Sequence, residues 1–97
     1  MAKVNESRDR YNTPMDLDHA SGLIRYINDN GEAMAYELRR IIPTYDRMKR
    51  VMEELRDAGI VEIEHIERPR ITLKYRLTEK GKLVASKLEE IHEIIDS

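Results

Sequence analysis

The spacing of apolar residues changes twice along this chain, and these changes restrict the folds that it can adopt. As far as Gly59, apolar residues recur at the i, i+3, i+4 spacing of amphipathic helices. From Val61 to Leu77 apolar and polar residues alternate, which is typical of half-buried β-strands. After Thr78 the helical spacing returns. The sequence therefore predicts an α+β fold that is mostly α, with one hairpin between its helices.

The first predicted helix begins at Thr13 and Pro14, which offer an N-cap and a proline at the first helical position. It ends at Asn30 and Gly31, since glycine commonly terminates helices. Because Gly22 lowers helix propensity, the first half could instead form a separate turn. The apolar stripe of this segment consists of Leu17, Ala20, Leu23, Ile24 and Ile27.

Two short helices follow, separated by a proline. Residues 34–42 have helical apolar spacing but are too few to form a stable helix alone, so they must pack on a neighbour. Pro43 stops this segment, and we expect Thr44 to cap a second helix that ends at Gly59. The stripe of the second helix consists of Met48, Val51, Met52 and Leu55. Two short helices joined by a tight turn form a helix-turn-helix.

The alternating segment predicts a two-stranded hairpin whose loop is Arg68-Pro69-Arg70. A proline is tolerated at a loop tip, whereas it would interrupt a paired strand. Antiparallel pairing about this loop sets Glu64 opposite Lys74, Glu62 opposite Arg76, and Ile63 opposite Tyr75. Charge and apolarity both favour that register.

Composition excludes several classes of protein. The 97 residues suit one domain, which we expect to span residues 13–97, behind a flexible, polar arm at residues 1–12. Without cysteine or a long apolar run, the chain is expected to be soluble and cytoplasmic, with no membrane partner. There is no glycine-rich phosphate loop, and the three histidines lie on three different predicted elements. We therefore predict no enzyme activity, no cofactor and no metal site.

The order of elements includes a short strand near Glu32 and Ala33, and it resembles the winged helix-turn-helix superfamily over residues 15–95. Small MarR-like and ArsR-like regulators of archaeal type are the most similar members. Two local motifs carry the resemblance: Leu55-Arg56-Asp57-Ala58-Gly59-Ile60-Val61 and Leu77-Thr78-Glu79-Lys80-Gly81. The resemblance implies a three-helix core, a two-stranded wing and a long C-terminal helix.

The resemblance also implies a sequence-specific regulator of transcription that binds double-stranded DNA. Winged helices also serve as protein-interaction modules, so a subunit of a transcription or RNA-processing assembly is the alternative. The near balance of 17 Lys+Arg against 19 Asp+Glu keeps that alternative open. The operator, the direction of regulation and any small-molecule effector are not predicted.

By the same resemblance, the helix at residues 44–58 would enter the major groove and the wing at residues 66–72 would lie on the adjacent minor groove or backbone. Arg47 lies in the first turn, where a cation opposes the helix dipole, so we assign it no role in stability. The cations could instead form a solvated face that pairs with Glu53 and Glu54. The predicted DNA-binding residues are Thr44, Tyr45, Arg47, Lys49 and Arg50, with Arg39 and Arg40 beside the turn and Arg68 and Arg70 in the wing.

The last helix, predicted at about residues 78–96, carries more apolar surface than a small core can cover. From Val84 onward its apolar residues follow a heptad seam. A simple amphipathic helix packed on the first helix would explain part of this stripe. We expect a two-fold homodimer and a palindromic operator, with the interface at Leu83, Val84, Leu88, Ile91, Ile94 and Ile95.

Overall fold

The computed structural model describes residues 11–97, so the predicted arm at residues 1–12 lies mostly outside the described residues. A 3₁₀ turn at Pro14–Asp16 precedes the first helix. The regular elements are α1 (Ala20–Asn30), β1 (Ala33–Met34), α2 (Ala35–Leu38), α3 (Tyr45–Asp57), β2 (Val61–Ile66), β3 (Thr72–Leu77) and α4 (Glu79–Asp96). This order confirms the predicted α+β, mostly helical winged helix-turn-helix.

The first helix starts later than the sequence predicted. Thr13 does cap a helical turn, since its hydroxyl accepts a hydrogen bond from the Met15 backbone nitrogen at 3.2 Å. The helical path is then interrupted at Leu17, whose backbone is extended, and at His19, whose φ of 57° places it in the left-handed region. Because an α-helix needs negative φ at every residue, α1 restarts at Ala20. A continuous helix from Thr13 was therefore wrong, and the alternative of a separate turn is confirmed.

The helix α2 is also shorter than predicted. It ends at Leu38, and the chain continues to Ile41 through tighter bonds, in which the Arg40 nitrogen donates to the Glu37 carbonyl at 3.2 Å. Its start is fixed by the Glu37 carboxylate, which accepts from the Met34 backbone nitrogen at 2.8 Å and from the Tyr26 hydroxyl at 2.7 Å. Both hydrogen bonds lower the pKa of Glu37, and the bond from Met34 has the larger effect.

The sheet has three antiparallel strands in the order β1-β3-β2. Its register matches the prediction at all three pairs, with Ile63 opposite Tyr75 and the charged pairs on either side. The central strand carries Tyr75, which is fully buried and faces Ala33 of β1 across the ladder. Burial raises the pKa of the Tyr75 hydroxyl, which has no hydrogen-bond partner within residues 11–97.

The core lies between α1, α3 and the sheet. The predicted stripe of α3 is buried in full, and so is most of the stripe of α1. The largest fully buried side chains are Tyr75, Leu23, Ile24, Ile27, Leu38, Ile42, Met48, Met52, Leu55 and Val61. Because these residues come from the helices as well as from the strands of the wing, the helix-turn-helix and the wing share one core and keep a fixed relative position.

The two motifs that carry the resemblance meet at one junction of the fold. Gly59 ends α3 with a φ of 79°, and the backbone nitrogen of Thr78 donates to the Ile60 carbonyl at 3.0 Å. The Thr78 hydroxyl donates to the Gly59 carbonyl at 2.5 Å and accepts from the Gly81 nitrogen at 3.0 Å. Gly81 lies so close to Ile60 that a Cβ would overlap its carbonyl oxygen. These contacts join the end of α3 to the start of α4.

Candidate nucleic-acid interface

The outward face of α3 is the one that the sequence predicted. Since Met48, Val51, Met52 and Leu55 turn into the core, the residues between them and at the N-terminus face solvent. Tyr45 is 39% exposed, Arg50 is exposed, and Lys49 is half-buried. The structure therefore places the predicted contact residues of this helix on one accessible surface at its N-terminal half.

Thr44 occupies the N-cap position, but its side chain does not cap the helix as predicted. Its backbone is extended, and its carbonyl accepts the first helical bond from Met48 at 3.0 Å. Its hydroxyl makes no capping hydrogen bond. Pro43, which cannot continue the preceding turn, and the burial of Met48 therefore define the start of α3.

Arg47 has a partner that the sequence did not reveal. Its Nη2 donates to the Oδ2 of Asp18, a residue of the turn that precedes α1. The two side chains are 51% and 56% exposed, so this ion pair remains in contact with water. Arg47 is therefore not an isolated cation at the start of α3, although an ion pair this exposed to water contributes little to the free energy of folding.

The other two outward cations of α3 are different. No ion pair joins Lys49 or Arg50 to any carboxylate within the described part of the chain. In particular, the pairing with Glu53 and Glu54 that would have explained them as a solvated face is not formed. Both cations are consequently available to a ligand.

Arg39 and Arg40 are exposed beside the turn between α2 and α3. The Nε of Arg39 donates to the Pro43 carbonyl at 3.2 Å, so this side chain spans the turn. Arg39 nevertheless remains exposed. Arg40 adds a second charge at the same corner and lowers the pKa of Glu37 as a secondary cause.

The wing tip carries two further exposed arginines. Arg68 and Arg70 lie in the loop between β2 and β3, and neither forms an ion pair with a residue of the described range 11–97. Beside them Ile71 is 84% exposed. The tip therefore presents unneutralised positive charge next to an apolar side chain.

The basic residues of β3 are neutralised, in contrast to those of the tip. Arg76 contacts Glu32 at 3.2 Å and Glu64 at 3.5 Å, and Lys74 contacts Glu32 at 3.6 Å. The sequence pattern missed Glu32, because it belongs to the segment before β1 and is distant along the chain. This cluster holds β1 to β3 and removes two cations from the accessible positive surface.

The outer face of α4 is apolar and exposed. Val84 and Leu88 are partly buried against the core, as the simple amphipathic interpretation requires. Leu83, Ile91, Ile94 and Ile95 are exposed by between 50% and 73%. The Nε of Arg25 in α1 donates to the Oε1 of Glu89 at 2.6 Å, which lowers the pKa of Glu89 and ties the middle of α4 to the core.

Metal sites and membrane-spanning helices were also sought among the described residues. Within residues 11–97 no group of three or more His, Asp or Glu side chains could hold a metal ion. None of the described helices is both long enough and apolar enough to span a membrane.

Comparison with known proteins agrees with this geometry. Residues 20–97 match the model of the HxlR-like helix-turn-helix family. No curated protein sequence matches the chain at a significant level.

Several solved structures have a similar fold. A transcriptional regulator homologue from Pyrococcus horikoshii OT3 has a TM-score of 0.74 at 14% identity, covering 99% of this chain and 96% of its own. The reduced form of the transcriptional regulator YodB from B. subtilis is 26% identical, with a TM-score of 0.62 and coverage of 78% and 76%. FabT from Streptococcus pneumoniae, in complex with DNA, has a TM-score of 0.72 at 18% identity, covering 95% of this chain and 66% of that chain.

Proposed function

Because this chain belongs to the HxlR-like helix-turn-helix family and is a DNA-binding transcriptional regulator rather than an enzyme, we propose that it reads the major groove with α3 as a homodimer. The observation that carries this proposal is the unequal distribution of charge along α3. Its N-terminal half carries the exposed Arg47 and Arg50 and the half-buried Lys49 against the single acid Asp46. The direction in which the helix enters the groove follows from this distribution.

The C-terminal half of α3 has the opposite charge. Glu53, Glu54 and Asp57 outnumber Arg56, which itself contacts Asp57 at 3.3 Å. Since DNA carries a phosphate charge along both edges of the groove, this half is repelled if it comes close. The helix therefore enters the groove with its N-terminus first, as in other helix-turn-helix proteins.

Each outward residue has a role that its chemistry supports. Arg50, which is exposed and forms no ion pair within the described chain, can donate two parallel hydrogen bonds to guanine O6 and N7. Tyr45 and Thr44, at the start of α3, can donate hydroxyl hydrogens to phosphate or to a base edge. Lys49, Arg39 and Arg40 contact phosphates and thereby fix the register of the protein on the duplex.

The wing makes the second contact of each subunit. Arg68 and Arg70 extend from a hairpin that shares the core with α3, so the two contact regions keep a fixed separation. Guanidinium groups favour narrow minor grooves because the negative potential is strongest there. The unpaired state of both arginines supports this placement on the adjacent minor groove or backbone.

The homodimer rests on the exposed apolar face of α4. A face that leaves Leu83, Ile91, Ile94 and Ile95 in water is unfavourable for a monomer and suits a two-fold contact with a second copy, in which Val84 and Leu88 would form the inner edge. The bond from Arg25 to Glu89 keeps α4 fixed relative to the core, so a dimer would hold two α3 helices at one spacing. A spacing of about 34 Å would fit two half-sites one DNA turn apart.

Two parts of the sequence prediction remain predictions. One is the cytoplasmic location, which was expected from the lack of cysteine and of a long apolar run. The other is the domain limits, with an arm before residue 13.

The proposal is tested by selecting duplexes from a random pool and measuring binding of variants at fixed salt. Arg50→Ala and Arg47→Ala should each weaken binding to the selected duplex by roughly 5- to 150-fold, since a bidentate base contact contributes about 1–3 kcal/mol. Arg56→Ala is the matched control, because it removes a cation from the other end of the same helix. If all three variants bind like the wild type, α3 is not the reading element.

A further inference from the structure

We propose that Asp18 is a positioning residue that determines DNA specificity through Arg47, an inference that rests on the proposed function. Asp18 lies outside the helix-turn-helix in sequence, 29 positions before Arg47. The fold nevertheless brings its carboxylate against the guanidinium group at the start of α3. Among the three outward cations of that half-helix, Arg47 is the one that a described carboxylate holds.

Stability does not explain this pair. Both side chains are more than half exposed, and ion pairs in contact with water contribute little to the free energy of folding. The pair costs conformational freedom on an arginine that has several rotatable bonds. Its position, at the end of α3 that faces DNA, suggests that its effect is on the ligand rather than on the fold.

The geometry leaves Arg47 able to bind. The hydrogen bond to Asp18 uses Nη2, so Nε and Nη1 remain free to donate. Asp18 is itself held in an ordered turn, in which the Leu17 nitrogen donates to the Pro14 carbonyl at 3.1 Å and the Ala20 nitrogen donates to the Leu17 carbonyl at 3.1 Å. The turn fixes the backbone on either side of Asp18, and the hydrogen bond that its carboxylate accepts restricts the guanidinium group before DNA arrives, which reduces the entropy lost on forming a base contact.

The same carboxylate acts against non-specific binding. When a complex depends on phosphate contacts alone, every unneutralised cation of the protein raises its affinity and every nearby anion lowers it. Asp18 offsets the charge of Arg47 in such a complex and repels phosphates near it. A contact with a base edge depends instead on the direction of its hydrogen bonds, so the oriented guanidinium still contributes to the affinity for specific DNA. Asp18 therefore increases the ratio of the affinity for specific DNA to the affinity for random DNA.

The test compares Asp18→Asn with Asp16→Asn on the selected duplex and on random duplex at one salt concentration. The control makes the same change in charge two positions away, at an exposed acid that forms no ion pair within residues 11–97. We expect Asp18→Asn to bind random duplex several-fold more tightly and to lower the ratio of specific to random affinity by about 5- to 10-fold, the loss of a modest base preference. Asp16→Asn should change both affinities alike and leave the ratio within about two-fold.

A second background shows whether Asp18 acts through Arg47. With Arg47→Ala already present, Asp18→Asn should have no more effect on the specificity ratio than Asp16→Asn. The inference alone is overturned if the wild type is specific but Asp18→Asn keeps its ratio, or if the effect persists without Arg47. If the wild type binds no selected duplex more tightly than random duplex, the proposed function fails and the inference fails with it. Melting temperatures of both asparagine variants that match that of the wild type verify that the fold is unchanged.

Discussion

Replacing Gly81 by alanine should destabilise the protein strongly, because α4 passes too close to the end of α3 to accept a methyl group. An added Cβ would lie nearer than 3.0 Å to the Ile60 carbonyl oxygen and 3.1 Å from the carbonyl carbon. That oxygen accepts the hydrogen bond from the Thr78 nitrogen, so moving it would break this bond. The start of α4 must therefore shift away from Ile60.

The size of the effect follows from what the shift breaks. The two hydrogen bonds that Thr78 donates to Ile60 and Gly59 each contribute about 0.5–1.5 kcal/mol. Overpacking of a rigid contact costs about 1–3 kcal/mol more, and the better helix propensity of alanine returns about 0.5–1 kcal/mol. A net loss near 3 kcal/mol in a domain of this size lowers Tm by roughly 12–24 °C.

Thermal unfolding followed by circular dichroism at one protein concentration measures this shift. Gly22→Ala is the matched control, because a Cβ there meets Ile41 Cγ2 at 4.0 Å, an ordinary contact, inside a helix. We expect that variant to melt at or slightly above the wild-type temperature. If Gly81→Ala melts within about 3 °C of the wild type, the close approach of α4 to Ile60 does not exist in solution and the reasoning is refuted.

Three further predictions concern the wing, the dimer and acid stability. Changing both Arg68 and Arg70 to alanine should reduce the slope of log affinity against log salt by up to about 3.6 in a dimer, since each lost phosphate contact contributes about 0.9, and an unchanged slope excludes the wing. Ile91→Asp combined with Ile95→Asp should convert the dimer to a folded monomer in light scattering, whereas a persistent dimer places the interface elsewhere. The pKa of Glu37 is lower in the folded chain, so its stabilisation is complete above the ordinary value of 4.5 and is lost as pH falls below it. The Tm difference between wild type and Glu37→Gln should therefore shrink on acidification, and a constant difference would contradict this assignment.

The hairpin was predictable because its information is local. Alternation fixes which side chains face the core, and a shift of one residue would turn Ile63 and Tyr75 outward, so the register has one acceptable value. Even there, side-chain pairing was less predictable than backbone pairing. Arg76 lies opposite Glu62 but contacts Glu64 and the more distant Glu32. The ion-pair partners of long side chains depend on the tertiary structure, so the strand pattern of the sequence does not predict them.

The start of α1 and the environment of Arg47 could not be predicted for a related reason. The left-handed conformation of His19 depends on the packing of the turn. Histidine adopts positive φ more often than most residues, but still too rarely for its presence in a sequence to predict it. Asp18 and Arg47 are 29 residues apart, so no helical or strand spacing connects them. The sequence identified the cations of α3 from periodicity, but which of them is held in place depends on the tertiary fold.

Methylation interference on the selected duplex tests the central claim, that two copies of α3 read successive major grooves, most directly. Guanine N7 lies in the major groove, so its methylation blocks contacts made there and leaves minor-groove contacts intact. We predict two clusters of interfering guanines related by a palindrome, with centres about 10 base pairs apart, and loss of interference at one guanine per half-site in Arg50→Ala. Binding that tolerates methylation at every guanine N7 of a guanine-containing site, or interference in a single half-site, would contradict the account.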